Sequence, residues 1–159
     1  MGGNGAKAAY LAKTLDKYEG PRFDEICRIG DKKVIKVYTQ NSTKVPVESF
    51  ESDMYYVANP KTEMIEHITF YDKNGNIKHS IDLEFNDDGT SKPYREFIRK
   101  GKIRSEGSHF HREWPTDENG NKGRIAHKEM NCEPVNKYYM RFVNKAVEYN
   151  AKIKKQNGK

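Results

Sequence analysis

The sequence predicts an α+β fold: an antiparallel β-sheet with one long C-terminal helix packed on it. Three observations carry this. From residue 23 to residue 85, short runs of β-forming residues alternate with turn signals. Residues 90–131 show no sustained periodicity and read as loop-rich. From Pro134 onward, Val135, Tyr139, Phe142, Ala146, Tyr149 and Ile153 recur at alternating four- and three-residue spacing, the apolar stripe of an amphipathic helix. Strands first, then an irregular stretch, then a helix is the order of a sheet covered on one face.

The elements follow in order. Residues 1–20 read as a partly ordered arm, helix-compatible over 6–18 through Tyr10, Leu11, Leu15 and Tyr18 and ended by Gly20-Pro21. Residues 23–29 and 34–38 are strands around the turn Gly30-Asp31-Lys32-Lys33. Residues 41–52, polar and containing Pro46, read as a loop, and 54–58 as a short strand stopped by Asn59-Pro60. In the next strand Met64, Glu66, Ile68 and Phe70 take one face, and Ile65, His67, Thr69 and Tyr71 the other. Asn74-Gly75 signals a tight hairpin, and residues 77–85 return with Ile81, Leu83 and Phe85 inward. Residues 96–100 are a strand or a helical turn, 108–114 a strand, and 115–123 a polar loop. Pro134 suits the first turn of the final helix. Residues 21–155 then form a single domain and 156–159 a disordered tail.

Composition narrows the function. At 159 residues, with ten Tyr and seven Phe, the chain has enough bulk for a packed core; at 33% charged residues, that core is modest. The net charge of +6 favours nucleic acid or another anionic partner. No apolar run reaches the roughly 18 residues of a membrane span, and no hydrophobic signal core opens the chain. Met1-Gly2-Gly3-Asn4-Gly5 begins like a myristoylation site, but Ala6 stands where Ser or Thr is needed. Cys27 and Cys132 have no metal-type spacing and read as reduced thiols. A cytoplasmic protein without a membrane partner is expected.

The segment richest in chemistry is Gly107-Ser108-His109-Phe110-His111-Arg112-Glu113-Trp114. On a strand, residues two apart share a face, so Phe110 turns inward while His109 and His111 converge. Cleavage of RNA by its own 2′-hydroxyl needs a base, an acid and a cation near the phosphate. Histidine suits the first two roles, and Arg112, Arg104 or Lys102 the third. The pair could instead supply two metal ligands, with His127, His79, Asp82 or Glu113 as a third. None of these stands at a diagnostic spacing, so no metal or other cofactor is expected. Just upstream, Lys92, Arg95, Arg99, Lys100, Lys102 and Arg104 interleave with Tyr94 and Phe97, a composition that neutralises phosphates and stacks on bases. Arg124 and His127 could close the site from the far side of the polar loop. His67 and His79 read as surface partners across the hairpin ladder. Asp82, on the opposite face from them, could orient a histidine. Trp114 reads as an anchor, and Tyr138, Tyr139 and Tyr149 as packing residues.

Ile68-Thr69-Phe70-Tyr71-Asp72-Lys73-Asn74-Gly75, then Ile81-Asp82-Leu83, then Ser108-His109-Phe110-His111 and the loop up to Arg124 together resemble small phage-encoded domains. Those are similar to the barnase–EndoU–colicin–RelE-like nuclease superfamily. The likeness spans residues 64–127 and departs from the pattern at Ser108, where the family segment has proline. It implies a helix on an antiparallel sheet and metal-independent RNA cleavage, with His109, His111, Arg112 and Asp82 at the centre. It also allows a non-enzymatic phage protein that binds a host defence protein or nucleic acid. The partner expected is therefore RNA or such a host protein.

Overall fold

The computed structural model describes residues 23–37, 54–73, 77–112 and 132–157. The predicted arm, the loops at 41–52 and 115–123, and Glu113, Trp114, Arg124 and His127 lie outside the described residues. Among the described residues eight strands precede one helix: β1 (Phe23–Ile29), β2 (Lys32–Val37), β3 (Met54–Ala58), β4 (Ile65–Tyr71), β5 (Ile77–Asp82), β6 (Arg95–Arg99), β7 (Lys102–Glu106), β8 (His109–His111) and α1 (Lys137–Asn157). Six strands form one sheet in the order β1-β2-β3-β4-β5-β8, while β6 and β7 form a two-stranded sheet. The α+β class is as predicted.

The sheet is mostly antiparallel, with one exception. β2 and β3 run parallel, Val34 opposite Tyr56 and Ile35 opposite Val57. A parallel pair cannot be closed by a tight turn, which accounts for the long stretch of chain, residues 38–53, between these two strands. β3 is buried along its whole length. A strand covered on both faces has no need of alternation, and Met-Tyr-Tyr-Val-Ala has none.

One face of the sheet packs against α1. Val34, Met54, Tyr56, Ile68, Ile81 and Phe110 form its core with Val143 and Ala146 of the helix. Ile65 joins them, although simple alternation assigns it to the other face. The register slips between Val57↔His67 and Ala58↔Ile65, and this bulge turns Ile65 toward the helix. The opposite face carries Ile35, Tyr55, Val57, Thr69, Ser80 and His111, all buried, so the sheet has one apolar face and one mixed face.

The helix differs from expectation in its start and its stripe. Asn136 caps it, its side-chain oxygen accepting from the Tyr139 amide at 3.1 Å, so helical bonding begins beyond Pro134. The residues fully buried are Val143, Ala146 and Asn150, with Tyr139, Phe142 and Tyr149 half-buried beside them. Asn150 is a polar group in the helix contact. Its amide accepts from the Ile65 N–H at 2.6 Å and donates to the Ile65 carbonyl at 2.9 Å, which satisfies the first backbone groups of β4. The helix continues to Asn157, two residues into the stretch expected as a tail. Among the described residues no helix is long and apolar enough to cross a membrane.

Candidate functional site: an aspartate holding three histidines

Register builds the site. On the face away from α1, the β4–β5–β8 ladder aligns His67 with Asp82 and Asp82 with His109. In the next row it aligns Thr69 with Ser80 and Ser80 with His111. Cross-strand partners share a face, so six polar side chains gather over three strands.

Asp82 is the hub. His67 Nδ1 lies 2.9 Å from Oδ1, His111 Nε2 3.1 Å from Oδ2, and His109 Nε2 3.3 Å from the same oxygen. The His109 and His111 rings stand nearly perpendicular with centroids 4.8 Å apart. His109 also donates Nδ1–H to the Gly107 carbonyl at 2.9 Å. Burial alone would pull the His109 pKa down. The bond to Asp82, the Gly107 carbonyl and the negative field of Asp82 and Glu84 outweigh it, so the pKa is raised above the usual 6.5 and the imidazolium is favoured. His111 is only 1% exposed, whereas Asp82 keeps 22% of its side chain accessible, His67 15% and His109 16%. His67, Asp82 and His109 are therefore partly open to solvent, while His111 holds the carboxylate from inside.

The described part of the chain adds Cys132. Phe110 and Glu133 exchange backbone bonds at 2.8 and 3.0 Å, which brings residue 132 alongside β8. The Cys132 sulfur and the ring nitrogens of His109 and His111 lie within 4.8 Å of one another, a donor set that could hold a metal ion. Burial, then the charges of Asp82 and Glu96, push the Cys132 thiol pKa up.

A backbone junction positions β8. Gly107 has φ +97°, and a Cβ there would stand 2.1 Å from the Pro93 carbonyl oxygen, so only glycine fits. Its N–H donates to the Glu84 carboxylate. The Ser108 hydroxyl donates to the Glu84 carbonyl at 3.0 Å and accepts from the Glu84 amide at 2.9 Å. The Ser108 N–H donates to the Lys92 carbonyl at 2.8 Å. A proline at 108 could not make that last bond.

The basic segment, expected within a loop-rich region, is a hairpin. Lys100 and Gly101 have φ of +53° and +74°, as a type I′ turn requires, and Ile98 pairs with Ile103. Arg95, Phe97 and Arg99 share a face with Glu106, Arg104 and Lys102. Arg95 is ion-paired with Glu106 and lies 4.8 Å over the Phe97 ring, and Lys92 approaches Glu106 at 3.5 Å. Arg99, Lys100, Lys102 and Arg104 are exposed and carry no ion pair among the described residues.

Three placements correct the sequence reading. Arg112 is not at the cluster. It lies on the Phe110 side of β8, its guanidinium bonded to Glu133 at 2.9 and 3.0 Å. His67 and His79 are not cross-strand neighbours, because His79 pairs with Phe70 and so falls on the helix side. There its Nδ1–H donates to the Arg112 carbonyl at 2.6 Å and its ring meets Phe110 and Tyr139. Asp82 shares the face of His67, not the opposite one. Sequence reasoning missed His67 and Cys132 as members of the cluster. A signal for His67 existed: counting out equally from Asn74-Gly75 pairs it with Asp82. Nothing in the spacing pointed to Cys132.

No family model matches this chain, and neither a curated protein nor a solved structure does. The nuclease likeness rests on its short motifs alone.

Proposed function

We propose that the Asp82 cluster is the acid–base centre of a metal-independent ribonuclease-like domain and that the β6–β7 hairpin guides the RNA strand. The observation that carries this reading is one carboxylate binding three imidazoles, two of them accessible, beside a cationic hairpin. His67 donates Nδ1–H to Asp82, which leaves its Nε2 lone pair as the base, the orientation a carboxylate imposes in acid–base dyads. His109, with both nitrogens facing acceptors, is doubly protonated and is the acid. Asp82 and the buried His111 are positioning residues.

In the reaction, His67 Nε2 takes the proton of the 2′-hydroxyl and the 2′-oxygen attacks phosphorus. The bond from phosphorus to the 5′-oxygen breaks as His109 Nε2–H protonates that oxygen. The approach of Nε2 to Oδ2 is the longest of the three to the carboxylate and the one most readily exchanged for a substrate oxygen. A 2′,3′-cyclic phosphate and a 5′-hydroxyl result. Arg99, Lys102 and Arg104 supply phosphate contacts, and Phe97 offers a stacking face. The test is end-group analysis of RNA incubated in EDTA with wild type and His109→Ala. Cyclic phosphate ends from wild type, lost in the variant, support the assignment. No cleavage by wild type, or equal cleavage by both, removes it.

One observation favours a second reading. Ile98 and Ile103 pair across the hairpin and are each 76% exposed, an apolar spot suited to a protein partner. A non-enzymatic protein that docks this tip on a host defence protein predicts no RNA turnover and a complex abolished by Ile98→Asp.

A further inference from the structure

The acid–base reading leaves the Cys132 thiol without a task, although it shares a space with two imidazoles and a carboxylate. Zinc bonds of about 2.0–2.1 Å to nitrogen, 2.0–2.2 Å to oxygen and 2.3 Å to sulfur place neighbouring tetrahedral ligands roughly 3.3–3.6 Å apart. Asp82 Oδ2 already stands 3.1 Å from His111 Nε2 and 3.3 Å from His109 Nε2, close to those edge lengths. The thiol and the two imidazoles span no more than 4.8 Å, so closure requires side-chain movements of about 1 Å.

The surrounding bonds are those that hold metal ligands in place. A histidine ligand commonly donates its other N–H to a backbone carbonyl, and a ligating carboxylate is itself hydrogen-bonded. His109 donates Nδ1–H to the Gly107 carbonyl, which lets Nε2 turn its lone pair inward once that nitrogen is deprotonated. Asp82 keeps Oδ1 on His67 Nδ1–H while Oδ2 faces the cluster. The paired backbone bonds between Phe110 and Glu133 hold Cys132 beside β8 from a distant part of the chain. A thiolate, two imidazoles and one carboxylate suit zinc and cobalt and disfavour magnesium and calcium.

We propose that Cys132, His109, His111 and Asp82 form a binding site for a zinc-class divalent ion, and that its occupation switches off the acid–base chemistry. Binding releases the thiol proton and the His109 Nε2 proton to solvent, moves the His111 proton from Nε2 to Nδ1, and changes no oxidation state. With metal on Nε2, His109 cannot protonate a leaving group. The binding stands independently; the silencing rests on the proposed ribonuclease function.

The binding test uses the full chain stripped of metal by chelation and exchanged into chelator-free buffer. Cobalt(II) is titrated in, and zinc is then titrated against a chromophoric chelator. One equivalent of cobalt should give a thiolate-to-cobalt charge-transfer band and the intense visible bands of tetrahedral coordination. The band should be absent in Cys132→Ser and present in Cys27→Ser. Zinc affinity in Cys132→Ser should fall at least about 10-fold, because losing even an outer-shell partner costs roughly 10–100-fold. If Cys132→Ser does not fold by circular dichroism, His111→Gln is the second variant and should lose the tetrahedral bands. A missing charge-transfer band in wild type, or its persistence in Cys132→Ser, overturns the site.

The activity arm compares RNA cleavage in excess chelator with cleavage after one equivalent of zinc, each variant against its own chelator baseline. A drop of at least about 10-fold in wild type, abolished in Cys132→Ser, supports silencing. Unchanged cleavage with zinc bound overturns it. Cobalt binding through Cys132 without any cleavage in chelator sinks the ribonuclease reading and leaves the metal site standing.

Discussion

Two neighbouring regions, joined at Gly107 and Ser108, use polar residues in opposite ways. In the Asp82 cluster, one carboxylate binds three histidines, and His111 among them is almost fully buried. In the β6–β7 hairpin, exposed cations stand on both strands, and among the described residues only Glu106 pairs with any of them. Buried polar groups must be partnered, because each orphaned one costs about 1–3 kcal/mol, whereas exposed pairs contribute about 0–1 kcal/mol. On the proposed reading the cluster orients proton transfer and the hairpin contacts a flexible polyanion. Substitutions in the first should damage stability and chemistry together; substitutions in the second should damage binding alone.

The largest effect is expected at the junction. Gly107→Ala forces a side chain onto the Pro93 carbonyl at a positive φ and should lower unfolding free energy by about 3 kcal/mol or more, read from the urea midpoint. A midpoint shift under about 1 kcal/mol would mean that the junction does not tie the two regions together.

Next comes Asp82→Asn, which keeps the shape and removes the charge. RNA cleavage should fall on the order of 10³–10⁴-fold, with a stability loss of roughly 1–3 kcal/mol. If stability drops while cleavage persists, the carboxylate is structural only.

The hairpin should behave differently. Replacing Arg99, Lys102 and Arg104 together by Gln should leave thermal unfolding nearly unchanged, within about 0.5 kcal/mol per site. The slope of log affinity for single-stranded RNA against log salt should flatten by about 0.7 for each phosphate that is no longer neutralised. An unchanged slope would separate the hairpin from RNA binding.

The smallest effect is a pH dependence. The folded-state pKa of His109 is raised, so its bond to Asp82 contributes stability that is fully present below the ordinary histidine value of about 6.5 and is lost as pH rises through the raised value. With chelator present, wild type should exceed His109→Gln in Tm at pH 5.5, and the gap should narrow toward pH 9, a range chosen to span roughly 6.5. A gap that is constant or widens with pH would contradict the assignment of His109 as the charged member.

Much of this was legible in the sequence, and the gaps have causes. The strand runs, their turns and the final helix were readable because period and turn chemistry are local signals. Parallel pairing of β2 with β3 was not, since it depends on what lies across the sheet rather than along the chain. The hairpin at Lys100-Gly101 was hidden by charged residues, which weaken the strand pattern where neither face is buried. Spacing alone brings out His109 and His111, but the face that Asp82 takes depends on the hairpin register, which pairs it with His67. A slip in register moves every side chain of a strand relative to its partner, so the place of His67 rests on the same register. Arg112 is next to the pair in sequence, but strand alternation sends it to the other face with Glu133. Cys132 reaches the cluster only through the backbone bridge to Phe110.

His67 and His79 sit on the two strands of one hairpin, but His67 faces Asp82 and His79 faces the helix. RNA cleavage in EDTA by His67→Ala and His79→Ala, each checked for folding by circular dichroism, tests the acid–base cluster most directly. Loss of cyclic-phosphate products in His67→Ala with their retention in His79→Ala is the predicted result. Equal cleavage by the two variants would contradict it.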